Sequence, residues 1–348
     1  MSTTTPPTSI TPTPGSRFAS TRLLGTALGP FLGLLLVFAL FSFADSTRSR
    51  SLNKEASFAS MASAQKILRD ASQVGVAALG MTMIIIAGGI DLSAGSAIAL
   101  SATVTAWFFR ADYSTTVAIM AGLSTGCVCG FVNGSLISLL RVVPFIITLG
   151  TMTVYLGLGM VLSNDTPIRA FGKAPDWILN LQTPYPIPEW IQVSTGVWLM
   201  AGLAIVVGFL LKFTVFGRHI FAIGSNEATA RLCGVNVTFV RIAVYAVAGF
   251  FVGVAGLYQF AILAGEGDPK AGTGKELEVI AAVVIGGGSL NGGRGSVLGT
   301  LSGACIMAVI LHGCVTLDIR TSYQKVIVGV IIIVAVTLDQ IRQRRLAA

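Results

Sequence analysis

Residues 72–110 read SQVGVAALGMTMIIIAGGIDLSAGSAIALSATVTAWFFR. An apolar run, a glycine-rich polar turn and a second apolar run follow one another, and Asp91 is the lone charge between Ser72 and Phe109. Long uncharged apolar runs are membrane segments by length and composition. Glycine-rich breaks between them mark unwound backbone that lines protein interior rather than lipid.

The rest of the chain agrees. Of 348 residues, 23 are Lys or Arg and 15 are Asp or Glu, so 11% are charged, against about 25% in an average soluble domain. Hydrophobic residues make up 53%, glycine numbers 40, and mean hydropathy is +0.81. There is too little polar surface for a soluble fold of this size, which excludes a soluble enzyme, a disordered chain and a disulfide-stapled module. The fold class is an all-α polytopic membrane protein. The net charge of +8 fits basic residues gathered in cytoplasmic loops. No Lys/Arg-rich run carries interleaved aromatics, so nucleic acid is not a partner. Four of the five cysteines lie in apolar runs and Cys233 in a polar loop; without metal-ligand spacing they read as packing residues.

Ten apolar runs predict about ten transmembrane segments: about 23–44, 72–90, 94–110, 116–140, 144–163, 196–214, 242–264, 277–289, 295–315 and 322–341. The runs 72–90 and 277–289 are short enough to be broken or re-entrant. Residues 1–21 are Ser/Thr/Pro-rich and predict a disordered cytoplasmic tail. They lack a signal peptide's basic start, so the first run is expected to be retained. The transmembrane domain then covers 22–341, and residues 342–348 form a basic cytoplasmic tail. Loop 164–195, with five prolines and mixed charge, is expected outside. Loop 215–241, with Arg218, Arg231 and Arg241, is expected in the cytoplasm. This parity puts both termini in the cytoplasm. It also puts loop 45–71 outside, although that loop carries Arg48, Arg50, Lys54, Lys66 and Arg69.

The run Ile86–Ser93 lines up with Val284–Asn291, and Gly95-Ser96 with Gly295-Ser296, a weak internal repeat of the kind transporters use. Glycines spaced by four (Gly25, Gly29, Gly33; Gly122, Gly126, Gly130, Gly134; Gly295, Gly299, Gly303) predict helix faces where backbones approach closely.

No nucleotide, nucleophile or zinc motif is present: Lys275 follows a Gly-x-Gly but is followed by Glu276, not Ser or Thr. Catalytic residues, metal ligands and a cofactor of the chain's own are therefore not expected, and this is not an enzyme. His312, inside an apolar run, is expected to be a hydrogen-bonded packing residue. The spans offer mainly Asp91, Asn133, Gln259, Thr148 and Ser/Thr hydroxyls, which suit a neutral polar solute driven by energy from outside the chain. A self-powered secondary carrier is the alternative; an integral membrane enzyme would need a His/Asp/Glu constellation that is missing. In loop 215–241, Ser225 or Asn226 can cap a short amphipathic helix starting near Glu227, and Gly234 can end it.

Four stretches together identify a resemblance: Gly80-Met-Thr with Gly89-Ile-Asp-Leu-Ser-Ala-Gly-Ser96; Phe145-Ile-Ile-Thr-Leu-Gly150; Gly217-Arg with Gly224-Ser-Asn-Glu-Ala and Arg231-Leu-Cys-Gly-Val; and Ala271-Gly-Thr-Gly with Glu278 through Gly295. The chain resembles permease subunits of ABC sugar importers of the ribose/galactose/xylose group, most of all the ribose type, over residues about 60 to 340. The resemblance implies a bacterial inner-membrane permease that works as a dimer with a second copy or a paralogue. It implies a separate ATP-binding subunit that holds ATP and Mg, and a periplasmic sugar-binding protein. Gly224, Ser225, Asn226, Glu227, Ala228, Arg231 and Gly234 match the family's ATPase-coupling segment. Asp91, Ser93, Asn133 and Thr148 are the candidates for the translocation pathway.

Overall fold

The computed structural model describes residues 18–51, 56–183 and 193–347. The Ser/Thr/Pro-rich stretch up to residue 17 lies outside them, as do Lys54 and Glu189. The chain forms α1 (Phe18–Ser51), α2 (Met61–Ile86), α3 (Ala94–Arg110), α4 (Thr115–Leu140), α5 (Pro144–Ser163), the one-turn α6 (Asp176–Leu179), α7 (Thr195–Phe213), α8 (Val215–Ser225), α9 (Glu227–Leu232), α10 (Val237–Ile262), α11 (Lys275–Ile285), α12 (Val297–Thr316) and α13 (Thr321–Ala347). Each of the ten apolar runs falls on a helix. Among the described residues, six stretches are long and apolar enough to cross a membrane: Gly29–Ser51 of α1, and α4, α5, α7, α10 and α12. The others fall short for visible reasons. α2 opens with Lys66, Arg69 and Asp70, and α3 has 17 residues. α11 has 11 residues, about 16 Å of helix or half a bilayer core.

Helix boundaries depart from the apolar runs where capping, not hydropathy, ends a helix. α1 begins at Phe18, inside the predicted tail, and continues past Ala44 to Ser51. α2 begins ten residues before Ala71, so most of the described part of loop 45–71 is helical. Asp45 holds the crossing. Its side chain is buried, and its Oδ2 accepts the backbone N–H groups of Ser57 and Phe58, each at 2.8 Å. Ser60 then caps α2 by accepting from the N–H of Ser63 at 3.2 Å. One feature departs from the all-α expectation: β1 (Ile168–Arg169) pairs antiparallel with β2 (Glu266–Gly267), Ile168 opposite Gly267.

α2 is the centre of the bundle. Every residue from Ala71 to Ile86 is buried, against α10, α12, α11 and α7. α4 and α10 meet backbone to backbone. A Cβ on Gly126 would come within 2.7 Å of the Gly253 Cα, and one on Gly249 within 3.1 Å of the Gly130 Cα. Gly299 and Gly303 seat α12 against Gly286 and Ala282 in the same way. At its described positions the first ladder makes no such seam: Gly29 faces open space and Gly33 meets only Ile306, while the surroundings of Gly25 lie outside the described residues. Regular glycine spacing permits a close crossing, but a partner helix must present small residues too.

The two ends of the bundle are distinct. At one end β1–β2, the Lys173–Asp112 pair (2.8 Å) and the Arg48–Asp318 pair (3.4 Å) gather. Loop 45–71 belongs to this end together with loop 164–195, because Ser72 and Gln182 hydrogen-bond there. Arg48 binds the Leu317 carbonyl and Asp318, and Arg69 binds Asp70. At the other end stand residues 87–93 and 286–296, with α8 and α9.

Candidate functional site

Loop 215–241 holds two helices, not the single short one expected. Thr214 ends α7 and starts α8: its hydroxyl donates to the Leu210 carbonyl at 2.6 Å and accepts from the Gly217 N–H at 3.0 Å. α8 buries Gly217, Ile220 and Ile223, a spacing of three that puts them on one face. Asn226 then turns extended, and its Oδ1 caps α9 by accepting from the Thr229 N–H at 2.9 Å. Of the two capping candidates, Asn226 is the one used; Ser225 is the last residue of α8. α9 ends as expected at Gly234, which adopts φ +84°. The Val235 N–H reaches back to the Ala230 carbonyl and the Gly234 N–H to Arg231, each at 3.1 Å, the double bond of a left-handed helix stop.

Glu227 latches α9 to α10. Its Oε1 accepts from Arg231 at 2.9 Å and its Oε2 from Arg241 at 2.6 Å. Partial burial raises the Glu227 carboxyl, but the hydrogen bond and charge of Arg241, then those of Arg231, outweigh it, and the net shift is downward. Around this latch Glu227, Ala228, Arg231 and Leu232 edge a shallow depression. Leu232 is 89% exposed, an apolar side chain held out beside two charged ones. Apolar protrusions rimmed by charge are typical of docking surfaces.

The lowered value of Glu227 has a signed consequence. Its contribution to holding α9 is complete above the unfolded-state value and is lost as pH falls through the lower, folded-state value. A fluorophore on the exposed Cys233 is expected to give a flat signal around neutral pH and to change only in acid. In Glu227→Gln the acid transition should vanish. A transition of the same midpoint in that variant would dissociate it from Glu227.

The turns that join α2 to α3 and α11 to α12 are built alike. Gly88 (φ +80°) and Gly287 (φ +89°) each stand two residues past the last residue of a helix, in the left-handed region, which glycine enters without steric cost. The Gly89 N–H returns to Ile84 and the Gly288 N–H to Val283, each at 2.9 Å. The two turns touch: the Gly293 N–H donates to the Ile86 carbonyl at 2.8 Å. Gly224 of α8 lies on this contact. A Cβ there would stand 2.6 Å from the Gly293 nitrogen and would collide with the Ile86 carbonyl.

The four pathway candidates are brought together behind the first turn. Asp91, Ser93, Asn133 and Thr148 are all buried. Asp91 Oδ1 accepts from the Ser93 N–H at 2.8 Å, the Ser93 hydroxyl at 2.6 Å and the Asn133 amide at 3.3 Å. Asn133 also donates to the Ser93 hydroxyl at 2.8 Å. Thr148 is joined to this network through the Ile90 carbonyl, at 3.4 Å. Two tyrosines that sequence reasoning missed complete it. The Tyr155 hydroxyl contacts Asn133 Oδ1 at 3.1 Å, and Tyr245 donates to the Ile90 carbonyl at 3.1 Å. Tyr245 lies one turn beyond Arg241, on the same face of α10; that spacing is the only sequence signal that joins it to the loop.

A second buried polar group lies higher in the bundle. Gln73 donates to Gln259 at 2.7 Å and accepts from Lys275 at 3.1 Å. Gln259 was expected among the polar groups of the spans; Gln73 and Lys275 were not. His312 packs its ring against Phe58, centroids 5.9 Å apart, but its Nε2 makes no hydrogen bond, contrary to expectation.

Residues 63–336 match the family described as the permease component of branched-chain amino acid transport systems. The ribose import permease protein of Escherichia coli K12 is 38% identical over 278 residues, covering 80% of this chain and 85% of the relative. That of Bacillus subtilis 168 is 36% identical over 318 residues, 90% and 92%. The fructose import permease protein of Rhizobium meliloti is 33% identical over 280 residues, 79% and 76%. No solved structure matches the chain.

Proposed function

The chain belongs to the permease-component family of branched-chain amino acid transport systems, and from that premise we propose that it is the membrane permease of an ATP-driven importer for a monosaccharide or related sugar. The sugar reading is supported by relatives named for ribose and fructose import. It is also supported by spans that offer hydroxyls and amides in place of the paired charges an amino acid's ammonium and carboxylate would need. We take all ten apolar helical segments as the transmembrane domain of a bacterial inner-membrane protein, with α8, α9 and both termini in the cytoplasm. ATP and Mg are held by a separate ATP-binding subunit, a periplasmic binding protein delivers the sugar, and a second copy or paralogue completes the dimer in the lipid.

One observation carries the coupling part. α9 presents Glu227, Ala228, Arg231 and the exposed Leu232 at the end of the bundle where the glycine turns meet. With Gly224, Ser225, Asn226 and Gly234 shaping its two ends, this segment is the docking site for the ATP-binding subunit. Asp91, Ser93, Asn133 and Thr148 then form the closed cytoplasmic end of the pathway.

The test is a pull-down of the tagged chain in mild detergent. The wild type is expected to bring down an ATP-binding subunit, and the Glu227→Ala/Arg231→Ala variant to lose most of it. Purification with no ATPase partner under any condition would sink the proposal and favour a self-powered carrier.

A further inference from the structure

We infer that the bend between α8 and α9 is clamped directly on the α2–α3 and α11–α12 turns, so that Gly224, Arg241 and Tyr245 are positioning residues passing movement of the docking segment to the Asp91 network. The inference rests on the proposed function, because it takes α9 as the part an ATPase moves. Two contacts carry it, from opposite sides of the α2–α3 turn.

The first contact is Gly224. It is the residue before the last of α8, and it presses on the Ile86 carbonyl and the Gly293 N–H, the two atoms whose 2.8 Å hydrogen bond ties one turn to the other. A Cβ on Gly292 would likewise lie 3.0 Å from the Cα atoms of both Gly224 and Gly88. Three backbones therefore meet with no side chain between them. Packed backbone does not yield as a flexible side chain does, so a shift of α8 must displace both turns or break the contact.

The second contact runs through α10. Glu227 on α9 holds Arg241 at 2.6 Å. Four residues on, Tyr245 donates to the Ile90 carbonyl at 3.1 Å, and its hydroxyl fills the space that a Cβ on Gly89 would take, 2.6 Å away. Ile90 precedes Asp91, whose carboxylate gathers Ser93 and Asn133. The path from α9 to the carboxylate is thus a salt bridge, one helical turn and a buried hydrogen bond. Tyr245 is fully enclosed, so its hydroxyl has no water to exchange for the Ile90 carbonyl.

Hydrogen–deuterium exchange on the intact complex with its ATP-binding subunit tests this, comparing the nucleotide-free state with the state trapped by Mg-ATP and vanadate. In wild type, trapping should alter exchange both in α8–α9 and in residues 87–93. In Tyr245→Phe the α8–α9 response should remain, while the response of residues 87–93 shrinks about fivefold, the weight of one buried hydrogen bond. Gly224→Ala should do the same or more; if it does not assemble, Tyr245→Phe decides alone, since it removes a single oxygen atom. Tyr258→Phe removes a comparable buried hydroxyl, bonded to the Gly196 carbonyl far from the turns, and should leave the response intact. An undiminished response of residues 87–93 in Tyr245→Phe, or an equal loss in Tyr258→Phe, overturns the inference. A wild type that recruits no ATPase overturns the proposed function instead.

Discussion

Replacing Gly130 with leucine is expected to remove the folded protein from detergent extracts, while Gly150→Leu should leave its yield near wild type. At Gly130 a new Cβ would collide with the Tyr245 carbonyl and stand 3.0 Å from the Gly249 Cα; at Gly150 nothing lies within 4 Å. Overpacking a core usually costs about 1–3 kcal/mol because side chains move aside. Here the obstacles are backbone atoms of α10, and relief means pushing α4 and α10 apart along Gly126, Gly130, Gly249 and Gly253 together. Without a hydrophobic drive between helices in lipid, that close contact is the main attraction available. The loss therefore exceeds the usual range. Gel filtration of the two variants expressed side by side is sufficient, and a monodisperse, full-yield Gly130→Leu would show that the α4–α10 crossing can open without penalty.

Asp91→Ala is expected to destabilise the chain by about 2–4 kcal/mol. The change leaves the Ser93 N–H and the Ser93 hydroxyl without their acceptor in a buried site, while Asn133 keeps its bond to the Ser93 hydroxyl, and each stranded polar group costs about 1–3 kcal/mol, not additively. Asp91→Asn keeps one side-chain oxygen to accept from Ser93 and replaces the other by an N–H2 donor, so it should lie between wild type and alanine. Thermal unfolding followed in detergent, with the three proteins ranked by midpoint, checks this. Equal midpoints for Asp91→Ala and wild type would mean that the network is not a structural lock. The ranking also bears on transport: if the network closes the cytoplasmic end of the pathway, loosening it should raise exchange of residues 87–93 before it unfolds the helices.

How much of this was legible in the sequence depended on whether the signal was local. Every apolar run lies on a helix because a run without charges states its own burial, whatever its neighbours. The caps of α9 were legible because Asn226 and Gly234 act on residues three or four positions away. Loop 45–71 was misread as an interruption because Asp45 acts across a dozen residues, on Ser57 and Phe58. α8 was missed because Thr214 sits at the end of an apolar run, where hydropathy gives no reason to expect a second start.

The resemblance joined four separated stretches without saying what held them together, and the fold supplies the reason for three of them. The Gly-Gly-Ile-Asp-Leu-Ser turn and the Gly-Ser-Asn-Glu segment touch through Gly224 and Ile86. The glycine-rich run after Val284 meets both at Gly292 and Gly293.

Composition and periodicity alone determine that this is a helical membrane protein with glycine-seamed helices and little charge in its interior, because lipid forces every span to declare itself by length and apolarity. Tertiary structure alone decides which seams close, that Gly29 faces open space while Gly126 meets Gly253, and that Arg241 and Tyr245 join α9 to the turn that carries Asp91. Those are pairings between residues tens to hundreds of positions apart. A sequence records the capacity of each partner for such a contact, and only the packed chain selects which partners meet.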